Sequence, residues 1–589
     1  MRFFAYAQRV RVINCDAHIS TRTKFLSAAP EAYDILAGIL GSRTLLPNVE
    51  KINYKRSEIT PLEVFRSFHI LYGPKLQALR ICSYNSRPYG IKPKAEPPTD
   101  KEDEAFAQML QKLADMKPRL QGIYIYTDSS SSTMLSSVVG AICALNHLVS
   151  LMLYNSKLLL SPVAFTHLAG LRGLRELDCK VGDSEDWADL PISLAHSGDD
   201  TQHTPFPVLR ELRLTAPTLA LSTSLLRFVG SPCLTELTIT AEQAVPRLEI
   251  DPLFAAVASL RGARTITQFY VNVCAVVPTT TTPDVTSLSS PNRPPARPRP
   301  IGRVALEPLL AMPAIDDIML EIHCPFDVDD ALLEAFAKAW PKLDRLGLGA
   351  YTGSWGLMTE GDFAEDGHDP HAIASQHDGH AADPVTSILR GRQNTDNTNV
   401  WRKPRATLFG LLAFARHCPY AAVLQFELTA SLRSIPPALL EARPTQTPGP
   451  RTPLMINGLY VGLSPIQDPY AVAAFLSDWV SGIDEIQDGW EDMMHIDSDE
   501  DEDDEADDGD EDEDDEVLGW PYVARIYHGR WQMVQRLIPM FAAVRMQERR
   551  WKRPAVGLPA HVEREERWED DSMDPHHAPP GFWDGVHWW

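Results

Sequence analysis

Tyr124 and Tyr126 alternate with isoleucine in Gly122-Ile-Tyr-Ile-Tyr126, and Met152 and Tyr154 alternate with leucine in Leu151-Met-Leu-Tyr154. Alternation with a period of two sends these four side chains to one face of extended chain and the aliphatic ones to the other. The same interleaving elsewhere places Lys51, Asn53, Arg80, Glu176, Asp178, Glu211, Arg213, Glu236, Gln268, Tyr270, Asp317, Arg345, Gln425 and Tyr460 on that face. Tyrosine and arginine among mixed charges are the residues with which proteins grip other proteins. Arg80, Tyr124, Tyr126, Met152, Tyr154, Asp178, Arg213, Tyr270, Arg345 and Tyr460 are therefore the candidate protein-binding residues. Simple solvation is the competing account, and a tyrosine cluster on adjacent strands argues against it.

Other chemistry is weaker. His368, His371, His377 and His380 have a spacing that could hold zinc or nickel loosely. Nothing fixes their insertion, so a plain His-rich segment is the better account. Gly347-Leu-Gly349-Ala-Tyr-Thr-Gly353 resembles a phosphate-binding turn but has the wrong spacing, and reads as the end of a strand. The sequence has no P-loop, GxSxG or HExxH, so we expect no enzyme, no catalytic residue, no metal and no cofactor. Asp497–Glu516 holds 17 acidic residues and no basic one, leaving −7 of the −24 net charge for the rest. An acidic body excludes a nucleic-acid backbone as partner. The acidic run could attract a basic nuclear protein such as a histone, though a plain solvated linker is the better account. Ser498, followed by Asp-Glu-Asp, suits an acidophilic kinase.

The elements that must position these residues repeat. Leu148/Leu151/Leu153 and Leu174/Leu177/Cys179 are one unit 26 residues apart, with apolar residues at positions 1, 4 and 6 and a helical run between. The pattern also picks out Val10/Ile13/Cys15, Val49/Ile52/Tyr54, Leu76/Leu79/Ile81, Leu120/Ile123/Ile125, Leu209/Leu212/Leu214, Leu234/Leu237/Ile239 and Ile266/Phe269/Val271. More widely spaced copies follow at Ile315/Ile318/Leu320, Leu343/Leu346/Leu348, Ala421/Leu424/Phe426, Ile456/Leu459/Val461 and Ile483/Ile486. Phe106, Met109, Leu110 and Leu113 mark one helix face, as do Leu332, Leu333, Phe336 and Trp340, and Pro252 marks a helix start. The expected fold is α/β: a leucine-rich-repeat solenoid over residues 1–490, with a curved parallel sheet on its concave side and helices on its convex side.

Insertions interrupt the rhythm at 86–101, 182–206, 276–302 and 353–404; they are polar, proline-rich or rich in Gly, Asp and His, and are expected to stay unpacked. An acidic linker (491–528), a capping helix (529–553) with Pro539 kinking or restarting it, and a polar tail (554–589) complete the expected organisation. Eight scattered cysteines without a CxxC pair read as buried free thiols in a reducing compartment. With no signal peptide and no run of ~20 apolar residues, the chain is expected in the cytoplasm or nucleus, away from membranes.

Several phrases carry a family resemblance: Arg2-Phe-Phe-Ala-Tyr-Ala-Gln-Arg-Val-Arg-Val, Leu45-Leu-Pro-Asn-Val, Ala413-Phe-Ala-Arg-His-Cys-Pro and Gly462-Leu-Ser-Pro-Ile-Gln-Asp-Pro-Tyr-Ala-Val-Ala-Ala-Phe-Leu. Together they resemble the repeat region of fungal F-box/leucine-rich-repeat proteins, over about residues 1–490 and the helix near 531–551. The resemblance implies repeats that hold a protein substrate and an F-box that docks to the adaptor of a cullin-RING ubiquitin ligase. These residues include no F-box, and the chain opens inside a repeat. That opening leads us to expect either residues upstream of Met1 or a partner covering the exposed end. Pro30-Glu-Ala-Tyr-Asp-Ile-Leu, faintly similar to an F-box opening, reads as a repeat helix because it runs into the Val49/Ile52/Tyr54 strand. The alternative function is an F-box-less adaptor, or an acidic-tract binder of basic nuclear proteins. The acidic leucine-rich nuclear phosphoproteins are a poorer match, since their tract is terminal and this one is internal.

Overall fold

In Glu176–Val181, Glu211–Ala216, Glu236–Ala241 and Gln268–Val273, every second side chain is buried and those between are half-exposed. That alternation is what a pleated strand produces when one face is covered and the other is not. A computed structural model describes residues 6–15, 30–41, 43–55, 68–82, 100–116, 119–126, 131–154, 158–183, 187, 204–243, 245–273, 276–277, 300–349, 404–432, 454–494 and 520–552.

Fourteen strands pair in chain order, each parallel to the next, within one sheet. They are β1 Val12–Cys15, β2 Lys51–Lys55, β3 Ala78–Cys82, β4 Gly122–Tyr126, β5 Ser150–Tyr154, β6 Glu176–Val181 and β7 Glu211–Ala216, then β8 Glu236–Ala241, β9 Gln268–Val273, β10 Asp317–Ile322, β11 Arg345–Leu348, β12 Val423–Gln425, β13 Leu454–Gly462 and β14 Val480–Asp488. A fifteenth, Leu159–Leu160, pairs β6 from outside this path. The fourteen are the segments marked by the apolar pattern. Their register is continuous: Leu151 pairs Leu177, Leu177 pairs Leu212, Leu212 pairs Leu237, and Leu237 pairs Phe269. The central ladder residue is buried in every strand from Ile52 to Ile486. At ~1.5–3 kcal/mol per fully buried large apolar side chain, this ladder is a principal source of stability.

Helices run between strands and cover the apolar face. Asp100–Met116 buries Phe106, Met109, Leu110 and Leu113, and Asp330–Ala339 buries Leu332, Leu333 and Phe336, with Phe336 stacked on Trp340 at 4.7 Å. Several start on a side-chain cap: Ser131 accepts from Met134 N, Ser161 from Ala164 N, Thr218 from Leu221 N and Asp329 from Leu332 N. Such caps satisfy amide groups that the helix itself leaves unpaired. Pro30–Leu40 is a helix leading to β2. Pro252 stands in the first turn of Ile250–Ser259 and does not begin it, because a 3-10 turn at Arg247–Glu249 precedes that helix.

The insertions pack more than their composition implies. In 182–206, Trp187 and Phe206 are buried edge-on to Phe165, at 5.7 and 5.2 Å between ring centroids. Two aromatic rings in a polar segment are enough to tie it to the core. The ends of 276–302 form short strands, Val276–Val277 beside Val245–Pro246 and Ile301–Gly302 beside Phe326–Asp327. The segment 86–101 gives its last two residues to the helix that starts at Asp100. Pro404, the last residue of 353–404, is buried, and residues 353–403 lie outside the described residues. The chain is anchored there by Asp330, whose carboxylate accepts from Thr407 N and Oγ1 at 2.7 Å and from Gly410 N at 3.1 Å.

The last helix starts at Trp520, earlier than 529, and runs without interruption through Pro539 to Lys552. A short helix, Trp490–Met493, occupies the start of the segment expected to be linker. Trp490 Nε1 and Trp531 Nε1 both donate to the Ser464 carbonyl, at 3.0 and 2.9 Å. Arg545 pairs Asp478 at 2.9 Å, and Arg530 donates to the Ile466 carbonyl at 2.8 Å. Among the described residues these cysteines form no disulfide: Cys179, Cys324 and Cys418 are buried, Cys82 and Cys143 half-buried, and Cys233 exposed. Cys233 departs from the expected burial because it lies in the turn before β8, not on its apolar face. Among the described residues, no helix is long and apolar enough to cross a membrane.

Candidate functional site

The face of the sheet away from the buried ladder carries in-register rows of polar and aromatic side chains. One row reads Arg80, Tyr124, Met152, Asp178 and Arg213 across β3 to β7. Beside it, Cys82, Tyr126 and Tyr154 stand in register on β3, β4 and β5. The Arg80 guanidinium lies 5.5 Å from the Tyr126 ring centre, a cation–π geometry that couples the two side chains. Seven of the ten expected residues thus fall on five adjacent strands. Tyr270 and Arg345 stand two strands apart on β9 and β11, and Tyr460 on β13 is remote from the first group.

Glycines decide where two of the tyrosines lie. A Cβ at Gly122 would come within 3.0 Å of the Tyr124 ring, and one at Gly458 within 2.8 Å of the Tyr460 ring. In both Gly122-Ile-Tyr124 and Gly458-Leu-Tyr460, the missing side chain two residues back lets the ring cover the backbone. That Gly-x-Tyr spacing was visible in the sequence.

Charge along the face is organised. Arg213 pairs Glu236 at 2.7 Å across β7 and β8. Burial pushes the Asp178 carboxyl up to about 6, Arg213 opposing and Glu236 adding to the rise. Glu211 is also raised, by burial first and then by Glu236 and Glu176. Further along, Asp317 is 3% exposed. One of its oxygens accepts from Tyr270 Oη and meets Arg345, both at 2.5 Å, while Oδ1 is buried without a hydrogen-bond partner. Burial raises the Asp317 carboxyl, and the Tyr270 hydrogen bond and Arg345 oppose it. Tyr270 is raised as well, by burial and by that bond. Arg345 and Tyr270 are thereby engaged with Asp317, and Arg80, Tyr124, Tyr126, Met152 and Asp178 form the larger group, on adjacent strands.

The sequence did not show the cavity where β11 to β14 end, bounded on one side by Gln532 and Gln535 of the last helix. Glu427, just past β12, lines it beside Gly462, whose positive φ of 53° and absent Cβ make room for that carboxylate. Gly462 was the one available signal.

Among the described residues, no group of three His, Cys, Asp or Glu side chains could hold a metal ion. His368, His371, His377, His380, Ser498 and Asp497–Glu516 lie outside the described residues. Gly347 and Gly349 close strand β11, as the strand reading required. The chain matches no protein-family model and no curated protein.

Proposed function

We propose that the sheet is the inner wall of a leucine-rich-repeat solenoid, and that the chain is a non-enzymatic scaffold binding a protein on this wall. The observation carrying this reading is the in-register row Arg80–Tyr124–Met152–Asp178–Arg213, flanked by Tyr126 and Tyr154. Strand order equal to chain order, with helices on the other face, supports the repeat architecture. A row of aromatic and charged residues on a rigid sheet is preorganised, so little side-chain freedom is lost on binding. The family resemblance extends the proposal to substrate recognition in an F-box-type ubiquitin-ligase receptor. Affinity purification of the full chain should then recover a protein whose capture falls at least about tenfold, or 1.4 kcal/mol, in Tyr124→Ala/Tyr126→Ala. It should also recover a ligase adaptor when the F-box is included. A protein captured equally by both forms would refute the binding face; capture with no adaptor would refute the ligase role alone.

The acidic run supports a second reading, an adaptor that engages basic nuclear proteins through Asp497–Glu516. Binding to a histone should then weaken steeply as salt rises, and salt-insensitive binding would exclude it.

A further inference from the structure

The cavity at the ends of β11 to β14 has a volume of about 580 Å³ and, among the described residues, is lined by Glu427, Glu485, Asp488 and Glu491 and by no lysine or arginine. Gln425, on its wall, is 5% exposed. Its Nε2 donates to the Gly349 carbonyl at 2.6 Å. Because that carbonyl can only accept, the amide orientation is fixed. Oε1 is left buried with no hydrogen-bond partner. Glu427 repeats the situation: one oxygen accepts from Leu463 N at 3.2 Å, and Oε2 is buried and unpartnered. Asp488 is already satisfied by His528 Nδ1 at 3.2 Å and Trp490 N at 3.1 Å. The wall therefore carries two buried side-chain oxygens without hydrogen-bond partners, amid four carboxyl groups.

A buried acceptor without a partner is costly, and a donor group that reaches it relieves that cost. A bare metal ion does not fit, for want of three clustered ligands among the described residues. What fits is a group rich in donors, positively charged and planar enough to meet a carboxylate and an amide oxygen together. We propose that this cavity binds a guanidinium group, with Glu427 and Gln425 as its acceptors. A guanidinium presents five N–H donors in a rigid fork, against three on an ammonium. The volume lies within the range of about 300–1,000 Å³ usual for ligand pockets. The group can arrive on a free small molecule or as an arginine side chain of a polypeptide. The inference does not depend on the repeat-receptor reading, since it rests on these acceptors alone.

Burial pushes the Glu427 carboxyl up to about 8, the Leu463 amide opposing. The titratable groups sharing the cavity are Tyr460, Glu485, Asp488 and Glu491, with His528 behind Asp488. A carboxyl raised this far keeps its proton to higher pH than an exposed glutamate, and a cation bound beside it would favour release of that proton.

Calorimetry on the full chain would test this with agmatine, the peptide Gly-Gly-Arg-Gly-Gly, and the same peptide carrying neutral citrulline. Agmatine or the arginine peptide should bind at least about tenfold more tightly than the citrulline peptide. Binding at pH 7 should release a proton, read from buffers of different ionisation enthalpy. Glu427→Gln, close in shape and uncharged, should weaken binding at least about tenfold and abolish that release. Glu485→Gln, at an exposed position, gives a second variant should Glu427→Gln fold poorly, and should weaken binding in the same direction. Tighter binding of agmatine would identify a small molecule as the source, and of the arginine peptide a polypeptide. No saturable binding, equal binding of citrulline, or affinities unchanged in both variants would overturn the proposal.

Discussion

Asp178 shows how one residue on the polar face departs from its expected behaviour. A carboxylate beside an arginine ordinarily titrates low, yet burial carries Asp178 up to about 6 against the pull of Arg213. Arg213 is committed to Glu236, at 2.7 Å, and has less to give. The folded protein thus holds this proton more tightly than the unfolded chain. Its contribution to stability is greatest below the ordinary aspartate range and is lost as pH rises from about 3.8 to about 6. Asp178→Asn should consequently raise stability at pH 7 by about 2 kcal/mol. The gain should shrink as the pH is lowered towards 4. Thermal melts of the two proteins at several pH values would decide, and a gain that does not change with pH would contradict this account.

At the scale of elements, each strand depends on the one before and after it. Leu177 pairs Leu151 and Leu212 in the central ladder and is about 1% exposed. Leu177→Asp would leave a cavity and place an unpaired charge in an apolar layer. The expected loss is about 4 kcal/mol or more. It should appear as a lower melting temperature and as amide exchange in β5, β6 and β7. Unchanged melting and circular dichroism would show that the ladder does not bear the weight assigned to it. The helix Asp330–Ala339 shows a second kind of dependence. Asp329 caps this helix and pairs Arg405, while Asp330, its first residue, holds Thr407, where the chain returns to the sheet. A long insertion is compatible with this fold because the chain that follows it is tied to this helix end.

At the scale of the whole molecule, the sheet has two ends, and the last helix covers one. Trp520–Lys552 packs against the helix Pro469–Trp479 and β14, and its Val523, Tyr527, Trp531, Val534 and Ile538 are all buried. Trp531 both fills space and donates to Ser464. Trp531→Ala should cost about 3–5 kcal/mol. Since each main-path strand pairs only its sequence neighbours, the loss should raise amide exchange in β13 and β14 well before it reaches β3 to β6. Uniform loss of protection across the sheet would instead mean that the array unfolds as one cooperative unit.

The sequence by itself determined the strands, their order and which side chains face away from the core. Those properties follow from a period of two within each strand and from apolar residues at fixed positions, both local. It also marked the Tyr124–Tyr126–Met152 patch, since register follows once the ladder residues are aligned. It could not show that Trp187 and Phe206 join the core, because two aromatic residues in a polar stretch carry no period. Nor could it show that Arg345 is held by Asp317, or that Glu427, Gln425 and Asp488 surround one cavity. Glu427 and Asp488 are 61 residues apart in the chain, and only the stacking of β12, β13 and β14 with the last helix brings them together. Burial and the loss of solvent then set their chemistry, and burial is a property of the assembled sheet that no local spacing encodes.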